Sequence, residues 1–186
     1  AEQWPGDWAN AMINTIKAVM AQSGVKKEDV KGIGISGQMH GLVILDEEDQ
    51  VIRPAILWND SRAQFQSDYL NNEVGRRWLS AKTGNVSYAG FTAAKLLWLR
   101  EEEPQRFARI ARLMLPKDYI TYRLTGVHAC DYSDASGMLL LDVEHKCWSQ
   151  EMLDLCGISE AQMPKLLKSF PAACRVSDDA IRLVGT

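Results

Sequence analysis

The sequence predicts an α/β fold, and three observations carry that expectation. Apolar runs of strand length crowd the first third of the chain, at Lys31–Ser36, Leu42–Leu45 and Val51–Leu57. From Asp60 onward the apolar spacing turns mostly helical, with one brief strand-like run at Leu113–Leu115. Hydrophobic residues are 46% and charged residues 24% of 186 positions, enough to close a globular core.

The elements follow in order. Asp7 is the expected cap of a first helix, whose Trp8, Met12, Thr15, Ile16, Val19 and Met20 fall on one face and which Ser23-Gly24 ends. Val30–Ser36 reads as a central strand, with Gly32 and Gly34 where another backbone can approach. Leu42–Leu45 and Val51–Leu57 are strands joined by the acidic turn Asp46-Glu47-Glu48-Asp49, and Pro54 puts the second at an edge. Helices are expected over 61–73 and 74–82, then a loop from Gly84 to Gly90. Phe91, Ala94, Leu97 and Trp98 mark one face of a strong helix, and Pro104 opens a short one. After the strand at 113–115, Lys117–Leu124 is a helix stopped by Thr125-Gly126. Asp131–Gly137 is a polar turn into a short helix or bend, and Trp148–Cys156 and Ser159–Leu167 read as two short helices. The strands are few for a closed layer, and a central strand at 31–36 needs neighbours on both sides. The expectation is therefore an incomplete piece of a longer chain.

Composition excludes several classes. A net charge of −3 lacks the basic stripe that phosphate backbones require, so no nucleic-acid partner is expected. No run approaches the ~18 apolar residues of a membrane span, and the first residues carry no signal-peptide pattern. A cytoplasmic protein without a membrane partner is the expectation. Cysteines 130, 147, 156 and 174 form no C-x-x-C pair, and His128 and His145 are not spaced from them like zinc ligands. They read as reduced thiols, with no metal site.

The motif that stands out is Gly37-Gln38-Met39-His40-Gly41. Read singly, His40 is a turn residue, Trp58 is core packing, and Asp60 and Arg62 are a cap and a surface charge. Gly34-Ile-Ser36-Gly37-Gln38 is no nucleophile elbow, which requires glycine where Gln38 stands. Gly32-x-Gly34-x-x-Gly37 matches a dinucleotide-binding string but opens no helix, and no P-loop occurs.

Taken together, four ordered segments resemble one family. G-I-S-G-Q-M-H-G-L-V-I-L-D, from Gly34, and R-P-A-I-L-W-N-D-S-R, from Arg53, resemble the amino-terminal domain of the FGGY carbohydrate kinases, most nearly the branch acting on xylulose. Gly90-Phe-Thr-Ala-Ala-Lys-Leu-Leu-Trp-Leu-Arg-Glu-Glu102 fits the family's first signature. Leu115-Pro-Lys-Asp-Tyr with Arg123-Leu-Thr-Gly126, and Asp131-Tyr-Ser-Asp-Ala-Ser136, are also family-like.

The resemblance implies a ribonuclease H-like, actin/hexokinase-type domain, incomplete at its first strands, with residues 1–186 forming part of the sugar-binding domain. It implies transfer of a phosphoryl group from ATP to the 5-hydroxyl of D-xylulose, a pentulose. ATP and Mg2+ are held mainly by parts outside this chain, and a homodimer is compatible with it. Gln38, Met39 (through its backbone) and His40 (through its imidazole) are the implied sugar contacts, with Trp58 walling the site and Asn59, Asp60 and Phe91 nearby. Glycerol kinases of the family carry Arg-Glu in place of Met39-His40 and a tyrosine in place of Gly90, so Gly90 is expected to leave room for a longer sugar. Lys95 is expected to be structural, in a salt bridge or as a helix-end charge, and Asp131 a turn residue. No residue here is nominated as catalytic base; that aspartate is expected beyond Thr186, and the isolated chain is expected to be inactive. Another pentose or polyol kinase of the family, or a non-catalytic sugar-binding or interaction fragment, are the alternatives.

Overall fold

Strand β2 (Val43–Leu45) is buried along its whole length because both of its faces are covered. Leu42 and Ile44 join one apolar cluster, and Val43 and Leu45 join another, as the period of two along a strand requires. The computed structural model describes residues 1–169 and 174–184, and these build the two clusters around β2.

Strand β1 (Glu2–Gln3) leads into helix α1 (Pro5–Ser23), and β2 is followed by β3 (Ala55–Ile56). Helix α2 (Gln64–Tyr69) runs through a π-helical turn, Leu70–Gly75, into α3 (Arg76–Thr83). Then come α4 (Thr92–Glu102), α5 (Pro104–Phe107), β4 (Arg112–Met114) and α6 (Pro116–Thr125). The rest is β5 (Ala129–Asp131), α7 (Tyr132–Ser136), β6 (Leu141–Asp142), β7 (Cys147–Trp148), α8 (Gln150–Cys156), β8 (Lys165–Leu167) and α9 (Asp178–Val184).

Pairing is local. β2 runs antiparallel to β4 with Val43 opposite Met114, and β1 antiparallel to β3 with Gln3 opposite Ala55. A bridge between Leu42 and Ile56 joins these two pairs. β5 and β8 are parallel, with Cys130 opposite Leu166, and β6 and β7 form a short antiparallel ribbon. Helix α4 carries the larger cluster, in which Ala93, Ala94, Leu96, Leu97 and Leu99 are all buried. α1 and α6 close the smaller one through Ala9 and Tyr119. Among the described residues no helix is long and apolar enough to cross a membrane. The four cysteines are free thiols, Cys130 and Cys156 buried and Cys147 exposed.

Several elements differ from the sequence reading. Helix α1 begins at Pro5 with Trp4 as its N-cap, so Asp7 is a first-turn residue; proline suits the first helical position and an acid suits the turn behind it. Gly24 ends it in the left-handed region, as expected. Val30–Ser36 forms no strand. It follows a single 3-10 turn, Lys27–Asp29, and stays unpaired and largely exposed, because none of the described strands lies alongside to complete its ladder. Ser159–Leu167 is not one helix. A capping box of Ser159 and Gln162 closes one 3-10 turn, Pro164 follows, and the next three residues become β8. The brief strands β1, β5, β6 and β7 and helix α9 were not anticipated, being too short or too polar to show a period.

Candidate functional site

Register brings the motif loops to one end of the paired strands. Continuing the antiparallel pairing of Leu42 with Ile56 sets His40 opposite Trp58. Continuing that of Val43 with Met114 sets Gly41 opposite Pro116, where a β-carbon on Gly41 would stand only 2.6 Å from the proline ring. Gly37 packs against Lys117 and Gly137 against His40 and Met39. Thus Gln38–Gly41, Trp58–Asp60, the start of α4, the start of α6 and the end of α7 meet in one place.

His40 is held in an uncommon conformation. Its φ is +66°, and the Gly41 amide donates to the Met39 carbonyl at 2.8 Å, so Met39–Gly41 is a γ-turn of the left-handed kind. Such strain persists where surrounding contacts over-determine it. Three contacts do so. His40 Nδ1 lies 2.8 Å from the Gly137 carbonyl. The imidazole stacks on Phe91 at 4.3 Å between centroids and 18° between planes. The His40 carbonyl accepts from Thr92 Oγ1 at 3.2 Å and Lys95 Nζ at 2.9 Å.

This geometry sets the chemistry of the ring. A carbonyl oxygen only accepts, so Nδ1 carries the hydrogen and Nε2 of the neutral ring keeps a lone pair. Burial lowers the His40 pKa, a trend the Gly137 carbonyl opposes, and the ring stays neutral at pH 7. Gln38 adds a side-chain oxygen that is shielded from solvent and has no partner among the described residues. Trp58 is 57% exposed beside the turn, so it is not core packing. Asn59 is exposed as well.

Asp60 is differently engaged. Arg62 grips it with Nε to Oδ1 at 2.8 Å and Nη2 to Oδ2 at 2.9 Å, and stands 5.0 Å over the Trp98 ring. Burial acts to raise the Asp60 pKa, but the guanidinium outweighs it and holds the carboxyl well below the usual range. Asp60 therefore shapes the turn after Trp58 and is not a free hydrogen-bonding group.

The glycine at 90 also departs from expectation. A β-carbon there would fall 2.1 Å from the Trp58 carbonyl oxygen. The backbone of Trp58 fills that position, so Gly90 provides close approach of two chain segments and not an open space for a longer sugar.

Two features were missed in sequence. Lys95 makes no salt bridge among the described residues and sits within the first turn of α4, wholly buried, donating to the His40 and Gly90 carbonyls. Lys117 stands 2.6 Å from Asp118 Oδ1, 2.8 Å from Asp131 Oδ1 and 3.3 Å from Asp134 Oδ2. Asp131 also caps α7 through the Asp134 amide. Asp118, Cys130 and Asp131 bring potential metal-ligating atoms within 4.8 Å of one another, but the Lys117 ammonium already supplies the cation there. Burial, helped by Asp118, pushes the Cys130 thiol far above its usual range, so it is no thiolate ligand. The signal for this cluster lay in Leu115-Pro-Lys-Asp-Tyr and Asp131-Tyr-Ser-Asp-Ala-Ser136. A separate cleft of about 440 Å³, lined by His128, Cys147, Trp148, Met163 and Lys165 among others, shares no residue with these loops.

A neutral imidazole, an amide oxygen without a partner among the described residues and an exposed indole thus gather at the strand ends. The family described as "FGGY family of carbohydrate kinases, N-terminal domain" matches residues 1–186, and the chain belongs to it. A xylulose kinase of Escherichia coli is 45% identical over 166 residues, 89% of this chain and 34% of that protein. A crystal structure described as a "xyloylose kinase" from Brucella ovis superposes with a TM-score of 0.91 at 41% identity, covering 96% of this chain and 37% of that one. A gluconate kinase from Lactobacillus acidophilus gives a TM-score of 0.91 at 26% identity, covering 100% of this chain and 37% of that one. The fold is that of the actin/hexokinase-type sugar kinases. The chain spans about a third of the length of the relatives it matches.

Proposed function

We propose that the full-length protein phosphorylates D-xylulose and that this chain supplies the sugar-binding wall of its active site. The observation that carries the reading is the strained turn at His40, whose imidazole is fixed in one tautomer with Nε2 free to accept. A sugar hydroxyl donates to that nitrogen. The Gln38 oxygen accepts a second hydroxyl, and the flat face of Trp58 meets the C–H face of the sugar. Met39 contributes its backbone, and Phe91 acts by stacking on His40. Similarity to xylulose kinases at up to 45% identity supports the choice of sugar.

Phosphoryl transfer rests on positioning and charge neutralisation, and ATP with Mg2+ supplies the transferred group and its countercharge. The described residues beside the turn do not fit that pair. Asp60 is held by Arg62, and Asp118, Asp131 and Asp134 surround Lys117. Nucleotide, metal and the carboxylate that takes the hydroxyl proton are therefore assigned to groups other than these. The chain's own work is to bind the sugar and aim its hydroxyl.

A second reading, another substrate of the same family, is favoured by the gluconate kinase likeness. A substrate panel on the full-length protein decides. D-xylulose is expected to give the highest kcat/KM; a higher value for ribulose, gluconate or glycerol refutes the first reading, and no turnover of any of them refutes both.

A further inference from the structure

Lys95 is an anomaly on its helix. Ala93, Ala94, Leu96 and Leu97 around it are apolar and buried, and Lys95 is itself 0% exposed. An ammonium taken out of water costs several kcal/mol unless it is paired. Among the described residues it has no carboxylate partner; it has two main-chain oxygens, His40 O at 2.9 Å and Gly90 O at 2.5 Å. A leucine or methionine would fill the same volume without that cost, so core filling does not explain the choice.

Its two acceptors do. The His40 carbonyl belongs to the peptide joining His40 to Gly41, which is part of the γ-turn with φ at +66°. Gly90 lies against the Trp58 carbonyl and precedes Phe91, on which the imidazole stacks. One cation thus ties together the turn that carries the imidazole, the segment that stacks on it and, through Gly90, the backbone of Trp58. Thr92 gives the His40 carbonyl its other donor, at 3.2 Å and without charge. Burial lowers the Lys95 pKa to about 7, and in its protonated form the Lys95 bond is charge-assisted and the stronger of the two.

We infer that Lys95 is a positioning residue for the sugar site, its ammonium holding the His40 carbonyl and so keeping the strained turn and its imidazole aimed at substrate. The inference rests on the proposed sugar-binding role of His40. It separates from a purely structural role by sign: a structural lysine lost to methionine lowers stability and leaves affinity alone, whereas a positioning lysine lost to methionine lowers affinity and leaves stability close to wild type.

The test uses full-length protein as wild type, Lys95→Met and Thr92→Val. Hydrogen exchange of the peptide containing Gly41, whose amide closes the γ-turn, is read without substrate. KM for D-xylulose and for ATP is read by a coupled assay. For Lys95→Met, exchange at that peptide is expected to rise roughly tenfold or more. The sugar KM rises by a similar factor, while the ATP KM stays within about twofold and Tm within about 5 °C. Thr92→Val shows the same pattern at smaller size and serves alone should Lys95→Met not fold. Unchanged exchange, or faster exchange with an unchanged sugar KM, overturns the inference. Should the wild type not turn over D-xylulose, the proposed function fails by itself and the exchange measurement decides the role of Lys95.

Discussion

Replacing His40 with alanine removes three contacts whose sizes can be set out separately. The bond from Nδ1 to the Gly137 carbonyl, 2.8 Å long and between neutral groups, contributes about 0.5–1.5 kcal/mol. The stack on Phe91, with centroids 4.3 Å apart, contributes about 0.5–1.5 kcal/mol. Alanine keeps the same strained backbone, so no relief offsets these losses, and the domain should lose about 2 kcal/mol in urea unfolding. The third contact is Nε2 to the sugar. A substrate hydroxyl left buried without its acceptor costs about 1–3 kcal/mol, which is roughly 5- to 150-fold in kcat/KM for D-xylulose. The assay is initial-rate phosphorylation by the full-length protein at saturating ATP, with Phe91→Leu as the control that loses the stack and keeps both ring nitrogens. Phe91→Leu should lose up to about 1.5 kcal/mol of stability and less than about tenfold in kcat/KM. A His40→Ala protein with unchanged kcat/KM refutes the reasoning and leaves His40 as a turn residue.

Further outcomes follow from the structure. The His40 pKa is lowered by burial below its usual 6.5, so Nε2 stays an acceptor at neutral pH and is lost as pH falls through the folded value. kcat/KM for the sugar should fall on an acid limb below pH 6.5, measured across a buffer series, and the limb should be missing in His40→Ala. The same depressed value means that the His40 contribution to stability fades as pH drops from 6.5, since the unfolded ring then binds the proton more readily. Gly90→Ala places a β-carbon against the Trp58 carbonyl, a backbone atom that cannot swing aside, and should cost about 1–3 kcal/mol in thermal or urea unfolding. Lys117→Met leaves Asp118, 2% exposed, without its cation and should cost about 3–5 kcal/mol at pH 7. That cost should shrink in acid, as the carboxylates the lysine had paired take up protons, which unfolding curves at pH 7 and pH 4 would compare.

Sequence reached the motif loops by their chemistry and the helices by their spacing. Helix α4 announced itself through Phe91, Ala94 and Leu97, and α6 through its Gly126 stop, because their signals are local. The strand expected at 31–36 failed for the opposite reason. Strand pairing is decided by neighbours, and apolar residues without a described partner strand leave an unpaired segment. The site divides the same way. Gln38, Met39, His40, Trp58 and Phe91 stand in stretches that carry the family pattern, and the fold brings those stretches together. The positive φ at His40, the Arg62 grip on Asp60 and the meeting of Gly90 with Trp58 are contacts between segments, invisible to spacing. Lys95 looked like one more charge on a helix until burial and two carbonyl acceptors gave it a different role.

The central claim is that the Gln38–His40 turn contacts the sugar. A crystal structure of the full-length protein with D-xylulose tests it most directly. The account predicts a sugar hydroxyl within hydrogen-bonding distance of His40 Nε2, with the Nδ1 bond to Gly137 kept and the Trp58 ring along the sugar. D-xylulose bound with no contact to His40 or Gln38 would contradict it.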